Sequence, residues 1–406
     1  MKIQNNIHLT YCTNIHPGEE WSKVFSNLQQ YVLELKAKIA PNKPFGIGLR
    51  LAAIAAKELL QGNTLKEFKS WLAEHHLYVF TLNGFPYGGF HQQVVKDQVY
   101  APDWSKQERL DYTLQLTNIL AELLPPEMEG SISTLPLSYK PWFKKNQISQ
   151  TSVINSATLH IAEVVAEMVR IRADTGKVLH LNLEPEPDGL IENAAEVIDY
   201  FQKNLLPIGG TYLAQQLEIP KETAEALLLE HVRVCYDTCH FAIAFENPVS
   251  VFKQFQGVGI KIGKIQISAA LQVDVPEDAE QRHQLKQRLL PFAESTYLHQ
   301  VVSSEFNQYS DLENALPDLA NTTASQWRIH FHVPIFIHDY KLLQSTQDDI
   351  ITVLELLQNN QFCNHLEIET YTWDVLPGEM KLDLSASIQR EYEWVLNKIL
   401  AGALLG

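Results

Sequence analysis

Apolar and polar positions along this chain follow two alternating rhythms. Short runs that are nearly all apolar or alternate with period two recur at His8–Thr13, Phe45–Leu51, Tyr78–Asn83, Ser131–Leu135, Val178–Leu183, Val232–Tyr236, Ile262–Ser268 and Leu366–Tyr371. They predict eight strands. Between them, apolar residues return every three or four positions, as on an amphipathic helix. Trp21–Ala40 places Val24, Phe25, Leu28, Tyr31, Val32 and Leu35 on one side, and Lys106–Leu124, Ser156–Arg172, Asn193–Leu205 and Asp348–Asn359 keep the same period. Ser105 is the expected N-cap of the second of these helices, with Glu108 completing a capping box. An extra strand-like segment, Arg328–Phe336, falls before the last strand.

Strand–helix alternation with β-branched, apolar strands predicts a parallel sheet covered by helices. Eight such units favour a closed α/β barrel, the (β/α)8 TIM barrel, over an open sheet. No GxGxxG or GxxxxGK[ST] follows any strand, which argues against a nucleotide-binding doubly wound fold. No Pro/Gly/Ser-rich linker or internal repeat divides the chain, so residues 1–406 read as a single domain.

Composition narrows the partners. With 32 basic and 48 acidic residues the formal charge is 32 − 48 = −16, and no Lys/Arg cluster offsets it. A nucleic-acid partner is therefore not expected. The four cysteines, Cys12, Cys235, Cys239 and Cys363, have neither CxxC pairing nor a regular spacing, and free thiols in a reducing compartment are expected. Met1–Asn6 lacks the basic and apolar regions of a signal peptide, and runs such as Leu51–Ala56 are far too short to span a bilayer. A cytoplasmic protein without a transmembrane segment, acting on a small-molecule metabolite, is the expectation.

Barrel chemistry gathers where strands end. Strand five ends in Glu184-Pro185-Glu186-Pro187, strand six in Asp237-Thr238-Cys239-His240, strand seven carries Gln266, and strand eight carries Glu367 and Glu369. Any one strand-end acid ordinarily caps a helix or pairs with a base. Glu184, Asp237 and Glu369 on strands five, six and eight would instead meet at one mouth, where their repulsion calls for a cation. Oxygen ligands point to magnesium or manganese, with zinc possible if histidine joins. Gln266 offers a fourth, neutral oxygen, and His240 can face the same pocket. Glu186 and Glu367 rank as alternates, Glu367 on the face of Glu369 but one layer deeper.

Further polar groups surround the mouth: His16 after strand one, Arg50 in strand two, and the loop Asn83-Gly84-Phe85-Pro86-Tyr87-Gly88-Gly89-Phe90-His91 after strand three. Its aromatics could wall a sugar-sized pocket, with Asn83 and His91 as substrate contacts. His330 and His332 fall on one face of an extended segment, a geometry suited to ligating metal or substrate, with His332 nearer the strand end. Cys235 and Cys239 straddle a strand end and are expected to be buried structural thiols. No GxSxG elbow supports a serine hydrolase.

With Asp237-Thr238-Cys239-His240 and the strand ends Glu184, Gln266 and Glu369, the chain resembles the xylose-isomerase-like TIM barrels. That group spans sugar isomerases, epimerases, hydroxypyruvate isomerases and the endonuclease IV proteins. The resemblance implies metal ligation by Glu184, Asp237, Gln266 and Glu369, and substrate contact by His240. The longer phrases Asn83–Phe90, Trp327–Pro334 and Glu369–Pro377 resemble the EboE-type metabolite traffic barrels. Implied is a metal-dependent isomerase or epimerase acting on an α-hydroxycarbonyl substrate through an enediolate. Glu184 and Glu369 would then be the proton-transfer pair, with His240 on the reacting oxygen and His332 or Arg50 positioning the substrate. The alternatives are a non-catalytic metabolite binder using the same pocket, and an endonuclease-IV-like phosphodiesterase, which needs a histidine-rich multi-metal cluster and a basic groove.

Overall fold

A computed structural model describes residues 1–3, 6–91, 93–146, 149–376, 378 and 383–403. Gln4, Asn5 and Pro377, used in reading the sequence, lie outside the described residues.

Eight parallel strands form one sheet: β1 (His8–Tyr11), β2 (Phe45–Arg50), β3 (Leu77–Asn83), β4 (Gly130–Thr134), β5 (Leu179–Leu183), β6 (Val232–Asp237), β7 (Ile262–Ile267) and β13 (His365–Ile368). Their order is β1-β13-β7-β6-β5-β4-β3-β2. A bridge between Cys12 and Gly48 brings its two edges together. Thr10 adds side-chain bonds there, accepting from the Gly48 N–H and donating to the Gly46 carbonyl. The barrel expectation holds.

Strict alternation sorts each strand. On β6, Tyr236 faces the surrounding helices, stacked on Phe241 and edge-on to Phe252. Arg233, Cys235 and Asp237 take the other face. That inner face is polar on many strands: Thr81, Ser131, His180, Asn182, Lys264, His365 and Glu367 are all buried. They bond to one another, as in His365 to Ser131 and Ser131 to Thr81. Two glycines make room for this polar filling. A Cβ at Gly48 would fall 1.9 Å from Glu367 Oε1, and one at Gly263 would fall 2.2 Å from Asn182 Oδ1. Gly263 sits where the β6–β7 register slips by one residue.

Two expectations need correction. Strand eight ends at Ile368, so Glu369 lies just past it, and Tyr371–Asp374 forms a short 3-10 turn. Ser105 caps nothing: the helix runs Gln107–Leu123 with Lys106 at its N-cap, and Asp103 accepts the Ser105 N–H and hydroxyl instead. The Asx-type turn at Asp103 outcompetes the serine because its carboxylate is the stronger acceptor.

The extra strand proves to be part of a second sheet. At Ser268 the chain leaves the barrel and builds β8 (Ala269–Asp274), β9 (Val301–Ser303), β10 (Gln308–Tyr309), β11 (Gln326–Val333) and β12 (Gln344–Ser345) before returning as β13. These five strands are antiparallel in the order β10-β9-β11-β8-β12. β11 slips in register against β8 between Ile329 and His332, the mark of a bulge that re-aims side chains. It thereby delivers His330 and His332 to the barrel mouth. Among the described residues no helix is long and apolar enough to cross a membrane.

Candidate metal centre

Glu184, Asp237 and Glu369 each offer a carboxylate oxygen within 4.8 Å of the others, all three buried. β6 fixes Asp237 through its Oδ1, which accepts from the Ser268 hydroxyl (2.6 Å) and the backbone N–H groups of Cys239 (2.8 Å) and His240 (3.1 Å). Its Oδ2 has no partner. Burial alone would raise the Asp237 pKa, but the facing His240 and His332 rings and these hydrogen bonds hold it below the ordinary value. Glu369 Oε1 accepts the amide N–H groups of Asn14 (2.8 Å) and Asn83 (3.0 Å). Burial first, and then the neighbouring carboxylates, push Glu369 and Glu184 well above the ordinary carboxylate range. Glu184 Oε2 also has no partner.

Lys264 does not neutralise this group directly. Its Nζ lies 2.5 Å from Glu367 Oε2 and donates to Ser133, with both members of the ion pair wholly buried. That leaves three carboxylates and too few cations. The orphaned oxygens of Glu184 and Asp237 are what a divalent cation requires, so the donor set fits a hard cation.

Histidines complete the mouth. His332 Nδ1 donates to the Glu369 carbonyl (2.7 Å), leaving Nε2 without a partner, and His332 groups with Asp237 and His240 within the same 4.8 Å. Expected among the substrate contacts, His332 thus lies at ligand distance from Asp237. A carbonyl partner on the far nitrogen is the usual way a ligating histidine is oriented. Gln266, expected as the fourth ligand, accepts the Cys235 thiol at 2.9 Å through its amide oxygen, and its amide nitrogen is unpartnered. Burial drives the Cys235 and Cys239 thiols far up, as expected of structural cysteines.

Glu184 and Glu369 of this centre line a cavity. Phe85, Phe90, Tyr297 and Tyr371 supply aromatic walls, and Asn14, Asn83, Glu184, Glu186, His240, Gln300, His330 and Glu369 the polar groups. Lys96 at its rim is held by Asp311 at 2.6 Å.

The remaining predicted contacts sit elsewhere. His16, Arg50 and His91 are absent from the described residues lining the cavity. Arg50 pairs with Glu19 (3.0 Å) and donates to the carbonyls of Gly18 and Gly88, tying two loops together. His16 stacks on Tyr31 and bonds the Tyr11 hydroxyl, and burial lowers its pKa to about 3. His91 packs edge-on to Phe90, with burial and then Arg50 lowering it to about 4. Asn83 does line the cavity, but it also holds Glu369. Asn14 went unnoticed in the sequence, although a polar residue at the end of a barrel strand was the signal that picked out Asn83 and Asn14 follows β1 closely. Glu186, ranked as an alternate, lines the cavity, and burial pushes its pKa up to about 8 against a lowering bond from Tyr100.

No known family profile matches this chain, and no curated protein is significantly similar to it. Solved structures do match. A xylose isomerase-like TIM barrel protein from Mycobacterium smegmatis, in complex with magnesium, aligns over 98% of this chain and 97% of its own at 10% identity, with a TM-score of 0.53. The IolI protein with a bound zinc atom aligns over 97% and 99% at 13% identity and a TM-score of 0.49. The probable 3-DHS dehydratase AsbF from Bacillus anthracis aligns over 96% and 99% at 12% identity and 0.45. With its eight-stranded parallel barrel, the chain adopts the xylose isomerase-like TIM-barrel fold.

Proposed function

We propose that this protein is a divalent-metal-dependent isomerase or epimerase that moves a proton on a small α-hydroxycarbonyl or sugar-like metabolite. The observation that carries this reading is the buried convergence of Glu184, Asp237 and Glu369, with an oxygen of Glu184 and of Asp237 left unpartnered, beside an aromatic-walled cavity that Glu184 and Glu369 line. Magnesium or manganese there, with zinc open to a nitrogen ligand, would polarise paired substrate oxygens and lower the barrier to losing a neighbouring carbon-bound proton. Glu184, Asp237, Glu369 and His332 would hold it.

The chain's own groups divide the remaining work. Glu184 would take the proton on whichever carboxylate oxygen the cation leaves open, its Oε2 having no donor of the protein's own. Glu369, held at Oε1 by Asn14 and Asn83, is the fixed partner that returns one. Tyr297, Tyr371 and Phe90 offer flat apolar surfaces to a sugar-sized ring and exclude water. Lys96 is engaged by Asp311, so the rim favours a small uncharged ligand over a polyanion, against the phosphodiesterase alternative. A role in metabolite traffic of the EboE type accords with the phrases Asn83–Phe90 and Trp327–Pro334 and belongs to the same proposal.

The test is hydrogen exchange. Metal-loaded protein incubated in D2O with a panel of α-hydroxycarbonyl sugars should put deuterium at one substrate carbon, read by mass spectrometry. Glu184→Gln and Glu369→Gln should each abolish it while the protein stays folded. Full exchange in Glu369→Gln would remove the proton-transfer role; tight ligand binding without exchange in the wild type would make this a carrier.

A further inference from the structure

Three imidazoles at the mouth are held by their Nδ1 atoms. His240 Nδ1 donates to the Pro185 carbonyl (3.1 Å), and His332 Nδ1 donates to the Glu369 carbonyl. His330 Nδ1 meets Gln300 Oε1 at 2.8 Å. The Gln300 amide cannot turn over, because its Nε2 donates to the Pro187 carbonyl. Each Nδ1 therefore faces an atom that only accepts, and each must carry the proton. In a neutral ring the Nε2 is then a bare lone pair.

Two of those lone pairs point at each other. His240 Nε2 and His330 Nε2 are 3.0 Å apart, and Glu186 Oε2 lies 4.0 Å from His240 Nε2. Glu186 Oε1 has no partner. Two acceptors nose to nose beside a carboxylate repel unless something positive sits between them. Zinc bound to two imidazoles at about 2.0–2.1 Å in a tetrahedral shell spans roughly 3.3 Å between the nitrogens, close to the spacing seen. The ligating atoms of Glu186, His240 and His330 all lie within 4.8 Å of one another. All three residues line the cavity, which leaves a coordination position open to a ligand or water.

We propose that Glu186, His240 and His330 bind a second divalent cation, of the nitrogen-preferring zinc class, distinct from the hard cation of the carboxylate triad. The sites differ in chemistry: three carboxylates with one imidazole, His332, on one side, two imidazoles and a single carboxylate on the other. A set dominated by carboxylates suits magnesium or manganese, whereas a set dominated by imidazole suits zinc. The inserted sheet supplies His330, so the insertion is what gives the mouth its nitrogen-rich half. The assignment stands apart from the proton-transfer reading.

Chelator-stripped full-length protein, equilibrated with zinc or cobalt(II) and measured by elemental analysis and visible absorption, tests it. Wild type should bind a second equivalent of zinc, and cobalt should show the intense visible bands of a tetrahedral nitrogen-containing site. His330→Ala and, separately, Glu186→Gln should weaken that equivalent by at least about tenfold. Glu184→Gln should keep the tetrahedral cobalt signal while losing the other equivalent. Saturation at one equivalent that is lost only in Glu184→Gln would overturn the second site and leave the triad standing. One equivalent lost in His330→Ala yet kept in Glu184→Gln would retain the imidazole site and remove the triad's. Unchanged stoichiometry and spectrum in both His330→Ala and Glu186→Gln would mean the rings share only a proton, and the proposal fails.

Discussion

Glu367 and Glu369 leave the same barrel stave two residues apart and meet opposite circumstances. Glu367, in the deeper layer, has Lys264 at 2.5 Å and is wholly buried with it. Glu369, one layer up, faces Asp237 and Glu184 and has only neutral amides for donors. The lower layer balances its own charge and so can be closed. The upper layer is left in deficit, which in a buried setting is sustained only by protons or a cation. A barrel interior of this kind separates structure from chemistry by one turn of the pleat, about 7 Å along the strand.

The sharpest way to break this comparison is to remove the balance below. Lys264→Met leaves Glu367 as an uncompensated buried charge, and stability should fall by about 3–5 kcal/mol. Urea denaturation measures it. Lys264→Met combined with Glu367→Gln should recover most of the loss, because an apolar side chain beside a neutral amide costs far less than a lone charge. A single variant within about 1 kcal/mol of wild type would mean that the lower layer does not depend on this ion pair and that the two layers do not differ.

The sequence made the oxygen half of the site legible and named the histidines of the nitrogen half without fixing where they meet it, for a geometric reason. Parallel barrel strands lie in a fixed register, so polar residues at successive strand ends, Glu184, Asp237 and Glu369, must share a mouth once the eight units are recognised. β11 obeys no such rule. Its place depends on antiparallel pairing with β8 and β9 across long sequence gaps and on a bulge between Ile329 and His332, none of which leaves a local pattern. The same limit misplaced Arg50, His16 and His91. Arg50 at the end of strand two and His16 and His91 after strands suggested the cavity, yet Glu19 and loop carbonyls hold Arg50, Tyr31 and Tyr11 hold His16, and His91 packs on Phe90. The barrel itself was readable from periodicity; the five-stranded sheet showed only as one surplus strand, since β9, β10 and β12 have three residues or fewer.

The upper layer's deficit should be visible as a pH dependence. Folding raises the pKa values of Glu184 and Glu369 and pushes Glu186 to about 8, all from an ordinary 4.5. A carboxyl with a raised folded pKa holds more protons in the native state, so its stabilising contribution is complete at low pH and is lost as pH climbs to the folded value. The buried histidines act in the opposite sense, but only below their ordinary 6.5, His240 titrating at about 4. Above about pH 6.5 the carboxyls dominate, each released proton costing about 1.4 kcal/mol per pH unit. Metal-free protein should therefore lose Tm between about pH 6.5 and pH 8.5, while metal-loaded protein, whose clustered carboxylates are already neutralised, should lose less. Glu391, raised to about 8 away from the cluster, contributes equally to both curves. A gap between the curves that stays constant with pH would show that metal and protons do not compete for these oxygens.

The smallest effect is the most discriminating. Gln266 pairs across the sheet with Asp237 and Glu367, where the sequence places a fourth ligand, but its amide oxygen already accepts the Cys235 thiol. His332, arriving from outside the barrel, presents a free Nε2 beside Asp237 instead. Gln266→Leu should change affinity for the triad's metal by less than about tenfold, under roughly 1.4 kcal/mol, whereas His332→Ala should weaken it by about ten- to a hundredfold. Titration calorimetry with manganese on both variants compares them directly. A loss confined to Gln266→Leu would mean that the amide is turned with its oxygen toward the metal, and that the barrel strands alone complete the ligand set. A loss confined to His332→Ala would mean that the eight staves hold only part of the centre, and that the inserted sheet finishes it.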